Sequence, residues 1–419
     1  MCYVVNLDSN DQCYAMTDRW ISAEEAAERL GVTQATLYAY VSRGMVRSEP
    51  GKQGRKRLYR ADDIRGLREK RSTGRQPASI ARRAMNFGTP ILASGLTLIA
   101  DHRVYYRGRD AVALSRTASL EEVARLLWRC ESDPFSAGNL PPETPAMRQA
   151  RKLAAGLPPL ERCRVLLPFA AAADDRAWAA DNSIRQDTGA RALRLVAAGA
   201  VGVAANADPV GAVLARAWNV RGRHRDLLRQ ALVLCADHEL NVSGFTARVV
   251  ASSGATIYDS VLSGLSALNG PRHGGQTLRV GALLDSLAGE RDLRRAIAGM
   301  VRNGQRIPGV GHFLYPEGDP RGLALLTSVA RLFPDHPVTA FARKVAAAVE
   351  AVIDRKPNID FALGTIERVL ALPPGSAIAI FLVGRTVGWI AHHLEQSETE
   401  TLIRPRAQYV GPAPEPDES

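Results

Sequence analysis

Asn269-Gly-Pro-Arg-His273-Gly-Gly-Gln276, Pro308-Gly-Val-Gly-His312 running on to Gly318-Asp-Pro-Arg321, and Asn358-Ile-Asp360-Phe361 are the stretches on which the reading of this 419-residue chain turns. Glycines beside a histidine permit tight turns and let a ligand approach the backbone closely. One such histidine is usually just a loop residue. Two such loops, an aspartate and several arginines in one chain make a set with its own chemistry. A thioester bearing α-protons needs a carboxylate base, and Asp360 suits that role. The enolate it forms needs a hydrogen-bond donor at oxygen, for which His273 is suited, and His312 can polarise an acceptor carbonyl. Each positioned proton-transfer group contributes about 10²–10⁴-fold. Arginine binds carboxylates bidentately, so Arg321, Arg385 and Arg404 suit a dicarboxylate partner.

Further segments extend the pattern: Tyr106-Arg-Gly-Arg-Asp110, Ala236-Asp-His-Glu-Leu-Asn241, Gly384-Arg-Thr-Val-Gly-Trp389-Ile-Ala-His392 and Arg404-Pro-Arg406-Ala-Gln-Tyr409. Taken with the three loops, and in this order, they resemble the signature segments of citrate synthases over roughly residues 83–412. The resemblance implies a mostly α, two-domain helical enzyme that acts as a homodimer. Its large domain would comprise 83–276 and 379–412, and a small domain, 277–378, would close over the substrates. It also implies His273 and His312 as the catalytic histidines and Asp360 as the base. His238, Arg321 and Arg385 would bind oxaloacetate or product, and Arg404 would reach into the partner's site. The acyl-CoA is then a co-substrate, and no bound cofactor is expected. The chain departs from the family pattern in two places. Pro316 stands where many members carry a CoA-binding basic residue, and the run His-Gly-Gly-Ala-Asn reads His273-Gly-Gly-Gln-Thr277 here. Both departures bear on CoA affinity.

The front of the chain reads differently. Ser22-Ala-Glu-Glu25 has the form of a capping box, with a short helix to Leu30 and Gly31 placed to end it. Thr33 caps a second helix, Gln34 to Arg43, that stops at Gly44. Two short helices joined by a Gly-containing turn make a helix-turn-helix. The basic, hairpin-like stretch Lys52–Arg60 and a third helix from Asp62 complete a likeness to the winged helix-turn-helix of the MerR and excisionase families, over residues 20–72. Tyr38, Arg43, Arg55, Lys56 and Arg57 are the candidate DNA contacts. Most of the formal net charge of +11 lies between Trp20 and Arg83, which fits a duplex DNA partner. Residues 1–19 read as a disordered lead, 73–82 as a linker, and 413–419 as a disordered tail.

The remaining composition narrows the classes. Apolar residues at 46% with aromatics at 6%, Ala and Leu dominant, favour helices over strands. Scattered, odd-numbered cysteines without Cys-x-x-Cys spacing argue against a disulfide framework or a zinc site, and a reducing cytoplasm is expected. His392-His393 reads as a core or surface pair rather than a metal site, and no Walker or Rossmann phosphate loop appears. The apolar run Ser376–Ala391 is interrupted by Arg385, so no membrane partner is expected. The clearest strand is Arg103–Arg107. The stripes at Leu120–Trp128, Leu293–Val301 and Phe341–Ile353 are expected core faces. Two alternatives stand beside citrate formation. One is 2-methylcitrate synthesis from propionyl-CoA; the other is a DNA-binding regulator whose non-catalytic body senses an acyl-CoA or carboxylate.

Overall fold

The computed structural model describes residues 20–42, 45–50, 57–72, 92–399, 401–407 and 409–412. The expected lead, linker and tail lie outside them. The chain divides into two compact units, 1–93 and 94–419.

In the first unit Ser22 caps the helix Ala23–Leu30 by accepting from the Glu25 amide at 3.1 Å. Glu25 does not close the capping box, because its carboxylate pairs with Arg29 one turn on. Gly31 ends the helix at φ 59°, a conformation that costs glycine little. Thr33 accepts from Thr36 N at the start of the helix Gln34–Ser42. Strands Trp20–Ser22, Arg57–Arg60 and Ser48–Pro50 form an antiparallel sheet in that spatial order. Buried Tyr59 lies at its centre, opposite Ile21 on one side and Ser48 on the other. The third helix, Ala61–Ser72, is tied to the residue before the strand Ser48–Pro50 by Asp63, which accepts from Arg47 Nε at 2.9 Å and Nη2 at 2.8 Å. Ile21, Leu30, Leu37, Tyr59 and Ile64 form the unit's own core.

The second unit opens on a small antiparallel sheet, Thr97–Ala100, Arg103–Tyr106 and Arg109–Asp110. Its first strand escapes a sequence reading because the pattern is inverted: polar Thr97 is buried while Leu98 is 57% exposed. Every later regular element among the described residues is a helix. At Leu120–Trp128 both arms of a capping box form between Ser119 and Glu122, and all five stripe residues are buried. The stripe at Leu293–Arg302 is weaker: Ile297 is fully buried, but Val301 is 37% exposed.

The centre of the unit is the 22-residue helix Ser376–Ser397, packed on Asn182–Val201, His224–Cys235 and Val242–Ser252. Arg385 does not break it. By length and mean hydropathy, 1.4, it is long and apolar enough to cross a membrane, yet residues 376–394 are all buried inside this fold. A second core is built by Val280, Leu283, Leu284, Ile297, Val345 and Val349, with Phe361 packed into it. It belongs to the helices Gly275–Leu287, Leu293–Arg302, Pro337–Ile353 and Ile359–Val369.

Candidate active site

The histidine loops are held by the backbone around them. Gly309 (φ 74°) and Gly311 (φ 70°) put the chain into left-handed turns that a side chain would strain. Between them Val310 bridges Pro357. Gly311 N donates to Lys356 O at 2.8 Å, and Asn358 N donates to Gly309 O at 2.9 Å. The loop bearing His312 is thereby laced to the segment leading into Asp360. Asn358 caps the helix Ile359–Val369 and accepts from Asp360 N and Phe361 N, which places Asp360 in the first turn.

Asp319 fastens a third element to this pair. It caps the helix Pro320–Leu332, grips Arg321 through Nε at 3.0 Å and Nη2 at 2.8 Å, and accepts from Ile359 N at 3.1 Å. Both side chains are at most 2% exposed. An ion pair this deep forms only where further hydrogen bonds meet the carboxylate, as the Ile359 amide does here.

His238 follows the helix His224–Cys235 and is 6% exposed. Its Nε2 is 2.7 Å from the hydroxyl of buried Tyr315. The His238 and His312 rings meet edge to face at 5.0 Å, and Arg321 lies over the Tyr315 ring. His273 Nε2 is 2.8 Å from Ser243 Oγ, and its ring packs on Phe381, over which the Arg385 guanidinium sits at 4.9 Å. Arg385 is 1% exposed. Its Nε donates to Cys235 O at 2.8 Å, while its Nη2 is buried with no hydrogen-bond partner. Asp360 Oδ1 accepts from Thr277 Oγ1 at 2.6 Å.

The electrostatics follow from burial. Desolvation disfavours the charged imidazolium, so His273 is pulled down to about 3, with Arg385 adding repulsion. His312 is pulled down to about 4 by burial and then by Arg321. Burial and Arg321 keep His238 well below the ordinary imidazole value. All three rings are neutral at pH 7. Leu314 N donates to His312 Nδ1 at 3.2 Å, so that ring carries its proton on Nε2. Burial pushes Asp360 the other way, up to about 6, against the Thr277 hydrogen bond and the fields of Arg321 and Arg385.

Six of the seven residues proposed from sequence for catalysis and substrate binding therefore gather in one region: His238, His273, His312, Arg321, Asp360 and Arg385. Arg404 does not join them. It lies exposed on the segment after the central helix, where Ile403 N donates to Ser252 Oγ at 3.1 Å. In the other unit Tyr38 is 50% exposed and Arg57 is exposed. Arg43, Arg55 and Lys56 lie outside the described residues. His392 packs against Asp237 at 3.3 Å and His393 bonds Ser260 at 2.8 Å, so both are core residues. Sequence reasoning missed Ser243, Tyr315 and Asp319, and it read Thr277 only as a departure bearing on CoA affinity. Only Asp319 carries a local signal, an acidic N-cap followed by Pro at the first helical position.

Residues 85–406 match the family described as "Citrate synthase, C-terminal domain", and residues 20–72 match "Helix-turn-helix domain". A putative citrate synthase 2 of Mycobacterium bovis is 36% identical over 203 residues, 47% of this chain and 54% of that protein. The chain thus spans about half the length of that relative. A citrate synthase of Haloferax volcanii is 30% identical over 341 residues, 74% of this chain and 90% of that protein. The crystal structure of citrate synthase from Thermotoga maritima shares the fold, with a TM-score of 0.66 at 24% identity over 78% of this chain and 94% of the other. The signature loops, the fold and the match over 85–406 agree, and this chain belongs to the citrate synthase family.

Proposed function

We propose that this chain condenses acetyl-CoA with oxaloacetate and water, giving citrate and CoA. Asp360 takes an α-proton from the thioester. The enolate oxygen is met by His273, and the enolate carbon attacks the oxaloacetate carbonyl. His312, whose proton is on Nε2, donates to that carbonyl oxygen as it becomes an alkoxide and then a hydroxyl. Water cleaves the resulting thioester. The Ser243 hydroxyl lies 2.8 Å from both Asn241 Oδ1 and His273 Nε2. The hydroxyl donates to Asn241 Oδ1, which also accepts from the amides of Ser243 and Gly244, so the Asn241 cap fixes the Ser243 side chain against which the His273 ring is held.

The observation that carries this reading is a carboxylate hydrogen-bonded to Thr277 and raised to about 6 in the field of two buried arginines, in a region whose histidines are held neutral. A base whose value lies near working pH combines a usable ionised fraction with useful basicity. Arg321 and Arg385 supply the charge for a dicarboxylate, and the unpartnered Arg385 Nη2 suits one of its oxygens. Arg404, exposed on its segment, serves the neighbouring site in a homodimer. The test is thiol release with acetyl-CoA and with propionyl-CoA against oxaloacetate. Faster turnover of propionyl-CoA would make the product 2-methylcitrate. No turnover of either would favour the sensing role.

A second property is inferred for residues 20–72: binding of duplex DNA through the helix Gln34–Ser42 and the wing. The helix-turn-helix match, the exposed Tyr38 and Arg57 and the local positive charge support it. Two copies in a dimer engage two half-sites. Gel shifts across a salt series check this, with log K falling at a slope of about −0.9 per phosphate neutralised.

A further inference from the structure

The helix Gly275–Leu287 begins two residues after His273, and its first turn carries Thr277, which is 1% exposed. The Thr277 hydroxyl has one proton, and its acceptor is Asp360 Oδ1 at 2.6 Å. Asp360 Oδ2 makes no hydrogen bond among the described residues. The two carboxylate oxygens are therefore unlike: one is tied to a helix of the second core, the other is free. This residue is also one of the two positions where the signature run departs from the family pattern, with Thr in place of Asn.

We propose that Thr277 is a positioning residue for the base: its hydroxyl holds Asp360 Oδ1 and thereby presents Oδ2 to the α-carbon of the acyl thioester. The departure at 277 thus bears on proton abstraction rather than on CoA affinity. The proposal rests on the reading of Asp360 as the base. A carboxylate with one oxygen hydrogen-bonded is held against rotation about its Cβ–Cγ bond, which favours one direction for the free oxygen. Misplacement of a reacting atom by about 1 Å costs on the order of 10²-fold.

The same bond tunes the base. The groups facing Asp360 are Arg321 and Asp319 from the helix Pro320–Leu332 and its cap, Arg385 from the central helix, and Thr277. Burial raises the carboxyl and Asp319 raises it further; the Thr277 bond opposes them first, ahead of the two arginines. A hydrogen bond to the charged form favours that form. Its removal moves Asp360 upward, and the acid limb of the rate profile moves with it.

The experiment is the pH profile of kcat/KM for the full-length wild type, Thr277→Val, Thr277→Ser and Asp360→Asn. Thr277→Val keeps the shape and removes the donor. It is expected to lower kcat about 10- to 100-fold, to leave the oxaloacetate KM within about twofold, and to shift the acid limb upward by about one to two pH units. Thr277→Ser restores the donor and is expected to return both rate and limb to near wild type. A wild-type rate and acid limb in Thr277→Val overturns the proposal. If Thr277→Val fails to fold, Thr277→Ser and Thr277→Ala carry the comparison, and equal acid limbs in those two overturn it. Retained activity in Asp360→Asn would sink the base assignment itself, a failure distinct from that of Thr277.

Discussion

As the proposed base, Asp360 is expected to have opposite effects on catalysis and stability. Its folded value, about 6, lies above the ordinary aspartate value of 3.8. Between those values the folded chain binds the proton more tightly than the unfolded chain, so stability falls as pH rises through about 6. Asp360→Asn is therefore expected to abolish thiol release while raising stability at pH 8 by on the order of 1–3 kcal/mol, with little change near pH 4. Paired thermal melts at the two pH values check this; thiol release within tenfold of wild type would remove Asp360 as base. His312 and Arg385 separate by kinetic signature. His312→Ala is expected to lower kcat by about 10²–10⁴-fold, because a donor to the developing alkoxide acts in the transition state. Arg385→Leu is expected to raise the oxaloacetate KM about 10- to 100-fold, the loss of a charged hydrogen bond. The reverse pattern would exchange their roles.

At the scale of elements, the central helix positions the site through close backbone approach. A Cβ on Gly388 would lie 2.4 Å from Asp237 Oδ1 and 2.5 Å from Ala236 O, and one on Gly384 would lie 2.6 Å from Leu232 O. Those atoms belong to the end of the helix His224–Cys235 and to the turn that carries His238, and neither backbone carbonyl can swing aside. Gly388→Ala is expected to cost about 2–4 kcal/mol and to raise the oxaloacetate KM by displacing His238, as urea unfolding and kinetics on one preparation will report. Gly299, inside the helix Leu293–Arg302, has open space where its Cβ would be. Gly299→Ala is expected to stabilise by about 0.5–1 kcal/mol with activity unchanged. The same substitution thus has opposite signs on two helices, and the neighbour decides which.

At the scale of the whole molecule the buried neutral histidines predict acid lability. His273, His312 and His393 have folded values near 3 to 4, and His238 is also well below 6.5. The unfolded chain takes up these protons first, so stability is lost as pH falls below about 6.5, by at most ~1.4 kcal/mol per histidine per pH unit. Asp360, Glu239 and Glu367, all raised by burial, oppose this over part of the range, but the four histidines outweigh them. A melting temperature that is flat from pH 7 to pH 5 would contradict the account. The proposed functions assign one role to each unit: a chain starting near Ala78 is expected to keep condensation activity and lose DNA binding, since every proposed catalytic residue lies beyond that point. Loss of turnover in that chain would make the first unit part of the enzyme.

The sequence by itself determined the helical class and the helix-turn-helix, and it singled out the loops proposed here as the site. Helix caps, 3.6-residue stripes and Gly-flanked histidines are local signals, and Ser119-Leu-Glu-Glu122 and Gly31 carry theirs within a few residues. What tertiary structure decided is everything that needs a partner distant in the chain. Thr277 reads only as a departure from the family run, bearing on CoA affinity, until Asp360, 83 positions on, arrives at its hydroxyl. Tyr315 gains meaning only from His238, 77 positions before it. The strand Thr97–Ala100 hides because buried Thr97 donates to Asp237 Oδ2, a need that periodicity cannot express. Arg385 reads as a break in an apolar run, yet the fold buries it and bonds it to Cys235 O. Hydrophobic pattern is written residue by residue, whereas desolvation and hydrogen-bond satisfaction depend on which segments meet, and those two effects set the charges of this site.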